Sequence, residues 1–405
     1  MQRYDTYKDS GVKWLGEIPS HWGMKRWRFL MSENTTKNTN CKERLQLQFR
    51  YGDIVRKVNQ SEESDVLDTI SKYTIVEPDD IMINGLNLNY DFISQRVAQV
   101  QERGVITSAY ISLRPTEIAN SRYFTYFLKS MDAKKMFHGM GTGIRLTLSY
   151  NELKNQFIPC PSSEEQTAIA NYLDTATAKI DAAMAQQQKM IDLLNERKQI
   201  IINRAVTKGL NPNVKMKDSG VEWIGEVPEG WEVRKLKHIA KLQSGETISS
   251  DSFTETGYPV FGGNGFRGYT NRYTNDGDYV LIGRQGALCG NVNYAHGQFF
   301  ASEHAVVVYP YNKENLVWLG EVIRASNLNQ YSQSAAQPGL AVSLIQNICY
   351  PYPPMEERDE IALYIEKNIK AIETGVKNYQ QQISLLQERK QIIINEVVTG
   401  KVKVV

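Results

Sequence analysis

The stretch KDSGVKWLGEIPSHW, Lys8–Trp22, returns as KDSGVEWIGEVPEGW, Lys217–Trp231, 209 positions later. A second repetition runs at a different offset. LLNERKQIIINRAVT, Leu193–Thr207, returns as LLQERKQIIINEVVT, Leu385–Thr399, 192 positions on, with ten of eleven positions identical from Leu193 to Asn203. Upstream at that same offset, IPCPSSEEQTAIANYL (158–173) parallels YPYPPMEERDEIALYI (350–365). Internal repetition on this scale has to be read before any other fold signal. It divides the 405 residues into a docking segment (1–22), a variable block (23–157), a helical block (158–208), a linker with the repeated docking segment (209–231), a second variable block (232–349) and a second helical block (350–405). The first variable block is longer by 17 residues, which is the difference between the two offsets.

The helical blocks begin after proline pairs, Pro159/Pro161 and Pro351/Pro353/Pro354, where Ser163 or the acids behind it can cap the helix. From there to Val206 neither proline nor glycine interrupts. Positions 166, 169, 173, 176, 180, 183, 187, 190, 194, 197 and 201 alternate in steps of three and four and read Gln, Ile, Leu, Ala, Ile, Ala, Gln, Met, Leu, Arg, Ile. That is a heptad seam. The second copy, 358 to 393, carries it more weakly at Asn368, Gly375 and Gln382. Each helix of about 40 residues spans roughly 60 Å. A lone amphipathic helix cannot bury its stripe, so the two are expected to pair antiparallel within the chain, a dimerisation coiled coil between chains being the alternative. The first docking segment then needs the C-terminal helix beside it, which brings the chain termini together. Trp14/Trp223 and Trp22/Trp231 are its apolar anchors, with Ser10-Gly11, Pro19 and their counterparts as turns.

The variable blocks read as mixed α/β. Strand-like runs at Asp80–Ile83, Gly104–Leu113, Tyr279–Ile282 and Ala305–Tyr309 are separated by Asn/Gly-rich loops. Helices are expected at Ser121–Met131 and Leu316–Ser326. Divergent loops on a shared scaffold are where recognition resides. In the first block the candidates are Asn84, Asn87, Asn89, Arg96, Thr142 and Arg145; in the second they are Asn264, Arg267, Tyr269, Arg272, Arg284 and Gln285. Arg matches guanine and Asn or Gln matches adenine by bidentate hydrogen bonding, and glycine lets backbone approach phosphate.

Composition narrows the alternatives. Apolar residues at 41% and charged residues at 23% are ordinary for globular domains, and a net charge of +2 neither requires nor excludes nucleic acid. Cys41, Cys160, Cys289 and Cys349 form no CxxC pair, and the five histidines show no zinc spacing, so the cysteines are read as reduced in a cytoplasmic protein. The polar N-terminus reads as lacking a signal peptide, and no apolar run reaches membrane-spanning length. Gly263–Gly268 matches GxGxxG, but turns and strand come after it where a dinucleotide site needs a helix. Pro78-Asp79 with Asp132 and Lys134 makes a poor metal-nuclease motif. No P-loop pattern and no Asn-Pro-Pro-aromatic tetrad occur.

The repeated order of tag, variable block and helix, with KDSGVEWIGEVPEGW, the ERKQIIIN strings and the GGNGFRGYT loop, resembles the DNA-specificity subunit of Type I restriction–modification enzymes. The resemblance implies an α+β fold with a pseudo-twofold internal repeat. Two α/β target-recognition domains, each reading half of a bipartite double-stranded DNA site, would be separated by two long antiparallel coiled-coil helices that set the spacer. It further implies two methylation subunits and restriction/translocase subunits as partners. S-adenosylmethionine, ATP and Mg would reside in those partners, with no cofactor, metal or catalytic residue in this chain, and the target adenines would be flipped into a partner's pocket. A fused or stand-alone methyltransferase or nuclease component, and a coiled-coil adaptor without a DNA role, are the alternatives from other classes.

Overall fold

The structure is a computed structural model, and it describes residues 2–58, 64–90, 95–286, 288–332 and 339–404. The chain forms two units. The first joins Met1–Gln187 to Gln381–Val405, and the second is the continuous stretch Gln188–Gln380.

In the first unit the docking segment folds as a small ribbon, Tyr7–Asp9 antiparallel to Glu17–Pro19. Gly23–Arg26 then pairs antiparallel with Phe157–Cys160, so the variable block is entered and left through one two-stranded neck. Inside it, β1 (Met31–Glu33), β2 (Ile81–Ile83), β3 (Val97–Gln99) and β4 (Ile111–Pro115) form an antiparallel sheet in the order β1-β4-β2-β3. Helix α1, Ser121–Ala133, covers it. Its N-terminus is capped by Asn120, whose side chain accepts from the Tyr123 amide at 3.1 Å. Tyr123, Phe124, Phe127 and Leu128 are fully buried on its inner face, each worth roughly 1.5–3 kcal/mol in transfer free energy. The run Gly104–Leu113 is not one strand. Gly104–Ile106 pairs with Thr74–Val76, the chain turns at 107–110, and only Ile111 enters β4. Ser108 explains the break, because its hydroxyl bonds the Lys72 carbonyl at 2.7 Å and Thr74 at 3.0 Å.

The long helix α2, Ser163–Lys208, gives its first half to this unit and its second half to the other. Its cap is Ser162, whose hydroxyl accepts from the Glu165 amide at 3.2 Å, one residue before the position expected from sequence.

The second unit repeats the plan. Met216–Asp218 pairs with Glu226–Pro228 in the docking segment, and Glu232–Lys235 with Cys349–Tyr352 in the neck. The sheet β5 (Ala240–Ser244), β6 (Tyr279–Gly283), β7 (Val292–Ala295) and β8 (Ala305–Pro310) has the order β5-β8-β6-β7, the same as the first. Helix α3, Leu316–Ala325, is capped by Asn315 and buries Trp318, Leu319, Val322 and Ile323. The units differ in what is inserted. The first carries the hairpin Leu47–Arg50/Asp53–Arg56, while the second carries an extra sheet ordered Gly265–Thr270, Tyr258–Gly262, Gln298–Ala301, Asn275–Asp276.

The second long helix, α4, is Met355–Val398. It runs antiparallel to α2 within each unit: Asp181 meets Lys390 at 2.7 Å in the first, and Lys198 meets Glu373 at 2.7 Å in the second. The buried stripe departs from the heptad expectation beyond Ile180. Met190 and Arg197 are exposed, and Ile191 and Lys198 take their places. Ile169, Ile180, Ile191 and Ile202 are all buried at eleven-residue spacing. On α4, Ile361, Ile372 and Ile394 are buried and Ile383 is half-buried at the same spacing. Eleven residues make about three turns of 3.67, closer to the natural 3.6 than a heptad's 3.5, so the stripe stays aligned without left-handed supercoiling.

Within the first unit the docking segment lies on the end of α4. Gln2 bridges to Lys403, the Tyr7 hydroxyl donates to the Gly400 carbonyl at 3.1 Å, and Lys401 Nζ donates to the Glu17 carbonyl at 3.2 Å. Gly400 has φ +72°, and a β-carbon there would lie 2.4 Å from Pro19 and 3.0 Å from Trp22. The expected closeness of the termini is therefore met by direct pairing. The second unit docks its own segment likewise, with Gly209 (φ +71°) against Trp231 and Pro228.

Candidate nucleic-acid interface

In the first unit two loops clasp. One, 84–90, follows β2. The other, 140–149, follows a helical turn at Met136–Gly139 and ends in the capping box of Ser149 and Glu152. The Leu148 amide donates to the Gly85 carbonyl at 2.9 Å, and the Leu88 amide to the Leu146 carbonyl at 3.1 Å. A β-carbon on Gly85 would stand 2.4 Å from the Leu148 oxygen, so glycine is required for the loops to touch. Arg96 lies beneath. It is 9% exposed, and its guanidinium donates to the carbonyls of Asn84 (2.9 Å), Leu86 (2.7 Å) and Asn87 (3.1 Å). Its side chain shapes the loop rather than facing outward. Asn84, half-buried, accepts from the Leu86 amide at 3.2 Å. Asn87, Asn89, Thr142 and Arg145 are exposed on the clasped pair, joined by Tyr90 and Ile144, which sequence reasoning passed over.

The second unit builds the same clasp from different residues. The Leu340 amide donates to the Arg284 carbonyl at 2.8 Å, and Leu340 lies 192 positions after Leu148. Gly283 presses on Gly263: a β-carbon at 283 would sit 1.9 Å from the Gly263 oxygen. The Arg284 amide donates to the His304 carbonyl at 3.0 Å, its guanidinium Nη1 donates to the Ser244 hydroxyl at 3.0 Å, and Gln285 bridges to Gly339. Asn291 Nδ2 donates to Asn264 Oδ1 at 2.8 Å. Asn264, Arg284 and Gln285 are thus brought together, with Asn291 from the same loop as Gln285 and His304 from 20 positions after Arg284 joining them. Arg267 and Tyr269 lie along the hairpin arm Gly265–Thr270, and Arg272 lies just beyond its end. Arg267 sits 5.7 Å over Phe253, and Arg272 sits 4.6 Å over Phe300 and meets Glu246 at 2.8 Å. Gly263–Gly268 spans the tip of this hairpin and opens no helix, in accord with rejecting the dinucleotide motif.

A groove of about 1020 Å³ lies beside this clasp in the second unit, between Ile200, Asn203 and Arg204 of α2 and the turns at Leu288–Asn291 and Asn327–Asn329. Asp79 and Asp132, weighed as a metal site, instead serve the scaffold: Asp79 accepts from Gln99 at 2.7 Å and Ser121 at 2.7 Å, and Asp132 from the Arg96 amide at 2.8 Å. No metal-ligand cluster occurs among the described residues, and no helix there is long and apolar enough to cross a membrane.

The sequence matches the family described as "Type I restriction modification DNA specificity domain" twice, over residues 58–192 and 228–381. Each match takes in one clasp and the first part of a long helix. The chain belongs to the Type I restriction–modification DNA specificity family. Among specificity subunits, it is 45% identical over 139 residues to that of the Type I restriction enzyme EcoprrI of Escherichia coli, covering 33% of this chain and 35% of that protein. It is 25% identical over 368 residues to the MjaVIII specificity subunit of Methanocaldococcus jannaschii, covering 82% and 81%. In fold it is similar to a chain from a structure concerned with complex assembly and conformational transition of the type I R-M system (TM-score 0.71, 14% identity, 95% of this chain and 99% of that one). It is also similar to the HsdS subunit from Thermoanaerobacter tengcongensis (TM-score 0.51, 14% identity, 95% and 98%). As a Type I specificity subunit the chain works with DNA and with other subunits of such a system.

Proposed function

We propose that each clasp reads one half of a bipartite double-stranded DNA site, the domain at 23–157 taking one half-site and the domain at 232–349 the other. The observation that carries this is the recurrence of one loop-to-loop hydrogen bond, Leu148 to Gly85 and Leu340 to Arg284, beneath surfaces whose side chains differ. A constant bond under variable chemistry is what two readers of two sequences need. Asn87, Asn89, Thr142 and Arg145 on one clasp, and Asn264, Arg267, Tyr269 and Gln285 on the other, supply base-edge and phosphate contacts, with Arg284 reaching the surface from a half-buried position. Arg96, Asn84 and Arg272 hold the readers in shape. The docking segments (1–22 and 209–231) and long helices (158–208 and 350–405) set the spacer and receive two methylation subunits, and the groove beside Arg204 suits such a contact. Restriction/translocase subunits join them. Adenine methylation, with its S-adenosylmethionine, and ATP- and Mg-dependent cleavage belong to those partners. Exchanging residues 23–157 for the corresponding block of another specificity subunit, with methylation-sensitive sequencing as the readout, is expected to change one half of the modified motif only. Change in both halves, or in neither, overturns the reading.

A further inference from the structure

We infer that Ile144 is an intercalating wedge, entering the base stack of the half-site read by the first unit, with Arg145 beside it on the DNA backbone. This rests on the DNA-reading role proposed above and adds the mode of contact. Ile144 is 98% exposed. It stands on a four-residue turn between Thr142 and Thr147, whose amides and carbonyls bond each other in both directions at 3.0 and 2.9 Å. Gly143 has φ +75°, and Leu146 has φ +43°, a left-handed conformation that is costly for a residue with a β-carbon. The strained residue is pinned from both sides, its amide donating to the Gly143 carbonyl at 3.1 Å and its carbonyl accepting from Leu88 at 3.1 Å. The turn is thus fixed, and it holds an aliphatic side chain out in water where the fold gains nothing from it.

The surroundings select the occupant. The other exposed side chains of the clasped loops are Asn87, Asn89, Tyr90, Thr142, Arg145, Thr147 and Ser149, and Arg145 has no ion-pair partner among the described residues. A protein partner would meet an apolar interface core. A single apolar tip among hydrogen-bonding and cationic groups matches proteins that insert Ile, Leu or Phe between base steps and kink the duplex.

The test uses the full chain assembled with its methylation subunits, on a duplex carrying its modified motif. 2-Aminopurine, which brightens when unstacked, is placed at each step of the first half-site other than the methylated adenine. The native complex is expected to raise fluorescence at one step. Ile144→Ser abolishes that rise and weakens binding roughly tenfold, and Ile144→Leu restores both. An unchanged signal in Ile144→Ser overturns the inference. So does loss of the methylation subunits from Ile144→Ser without any altered DNA signal, which would mark Ile144 as a protein contact. A native complex that binds its motif with every step stacked refutes the wedge alone, whereas one that fails to bind any bipartite motif refutes the reading beneath it.

Discussion

The Leu148 amide and the Gly85 carbonyl meet at 2.9 Å, too close for a side chain at position 85. Gly85→Ala drives a β-carbon to within 2.4 Å of the Leu148 oxygen, and since that neighbour is backbone the clasp must open. Overpacking of this kind costs about 1–3 kcal/mol. The expected result is a DNA-binding titration in which discrimination is lost at one half-site and kept at the other.

Arg96 and Arg145 look alike in sequence and should separate cleanly on mutation. Arg96→Met takes its donor from the Asn84 and Leu86 carbonyls, the Asn87 carbonyl keeping the Tyr90 amide, a loss of about 1–3 kcal/mol visible as a lowered melting temperature. Arg145→Ala touches nothing folded. It should leave stability within about 0.5 kcal/mol yet weaken DNA binding evenly across sequences and flatten its salt dependence, as a phosphate contact does. A loss confined to one base position would instead mark it as a base reader.

Adjacent residues on α2 report the period of the seam. Ile191 is 5% exposed and Met190 is 36% exposed. Ile191→Ala is expected to cost about 2–5 kcal/mol in denaturant unfolding, whereas Met190→Ala should stay within about 0.5 kcal/mol. The reverse ranking would reinstate the heptad.

The docking segment is probed at Gly400. Gly400→Val collides with Pro19 and Trp22 and forces a left-handed backbone on a β-branched residue. Its melting temperature should fall, and proteolysis should begin at the released N-terminal segment.

The loop's capping box brings a pH dependence. Hydrogen bonds from the Ser149 hydroxyl hold the Glu152 carboxyl below its ordinary range. Its folded pKa is depressed, so the contribution is present above the unfolded value of 4.5 and is lost as pH falls through the lower, folded value. Ser149→Ala, a cap deletion worth about 1 kcal/mol, should destabilise the protein at neutral pH, with the gap to the native chain closing in acid.

The doubled sequence made the two units legible, together with both long helices, the exposed Asn and Arg loops and the pairing of the termini. The stripe period was not legible because heptad and eleven-residue templates share 166, 169, 173 and 180, differ in that span only at 176 against the buried Thr177, and part more widely further along. Arg96 misled because an arginine in an Asn-rich loop carries the same signal whether it points at solvent or at three carbonyls beneath it. Strand Gly104–Leu113 read as continuous because Ser108 breaks it through partners at positions 72 and 74. His304 reaches its clasp from a turn 20 positions after Arg284, which composition does not encode.

The pairing of Gln2 with Lys403 orders events during synthesis. Gln188–Gln380 is a single uninterrupted stretch, whereas the unit begun at the N-terminus lacks its last segment until Gln381–Val405 emerge. A chain cut short at Gln380 would therefore hold the whole of the second unit but lack the end of α4 on which the first docking segment rests. Only the complete chain closes that unit on itself.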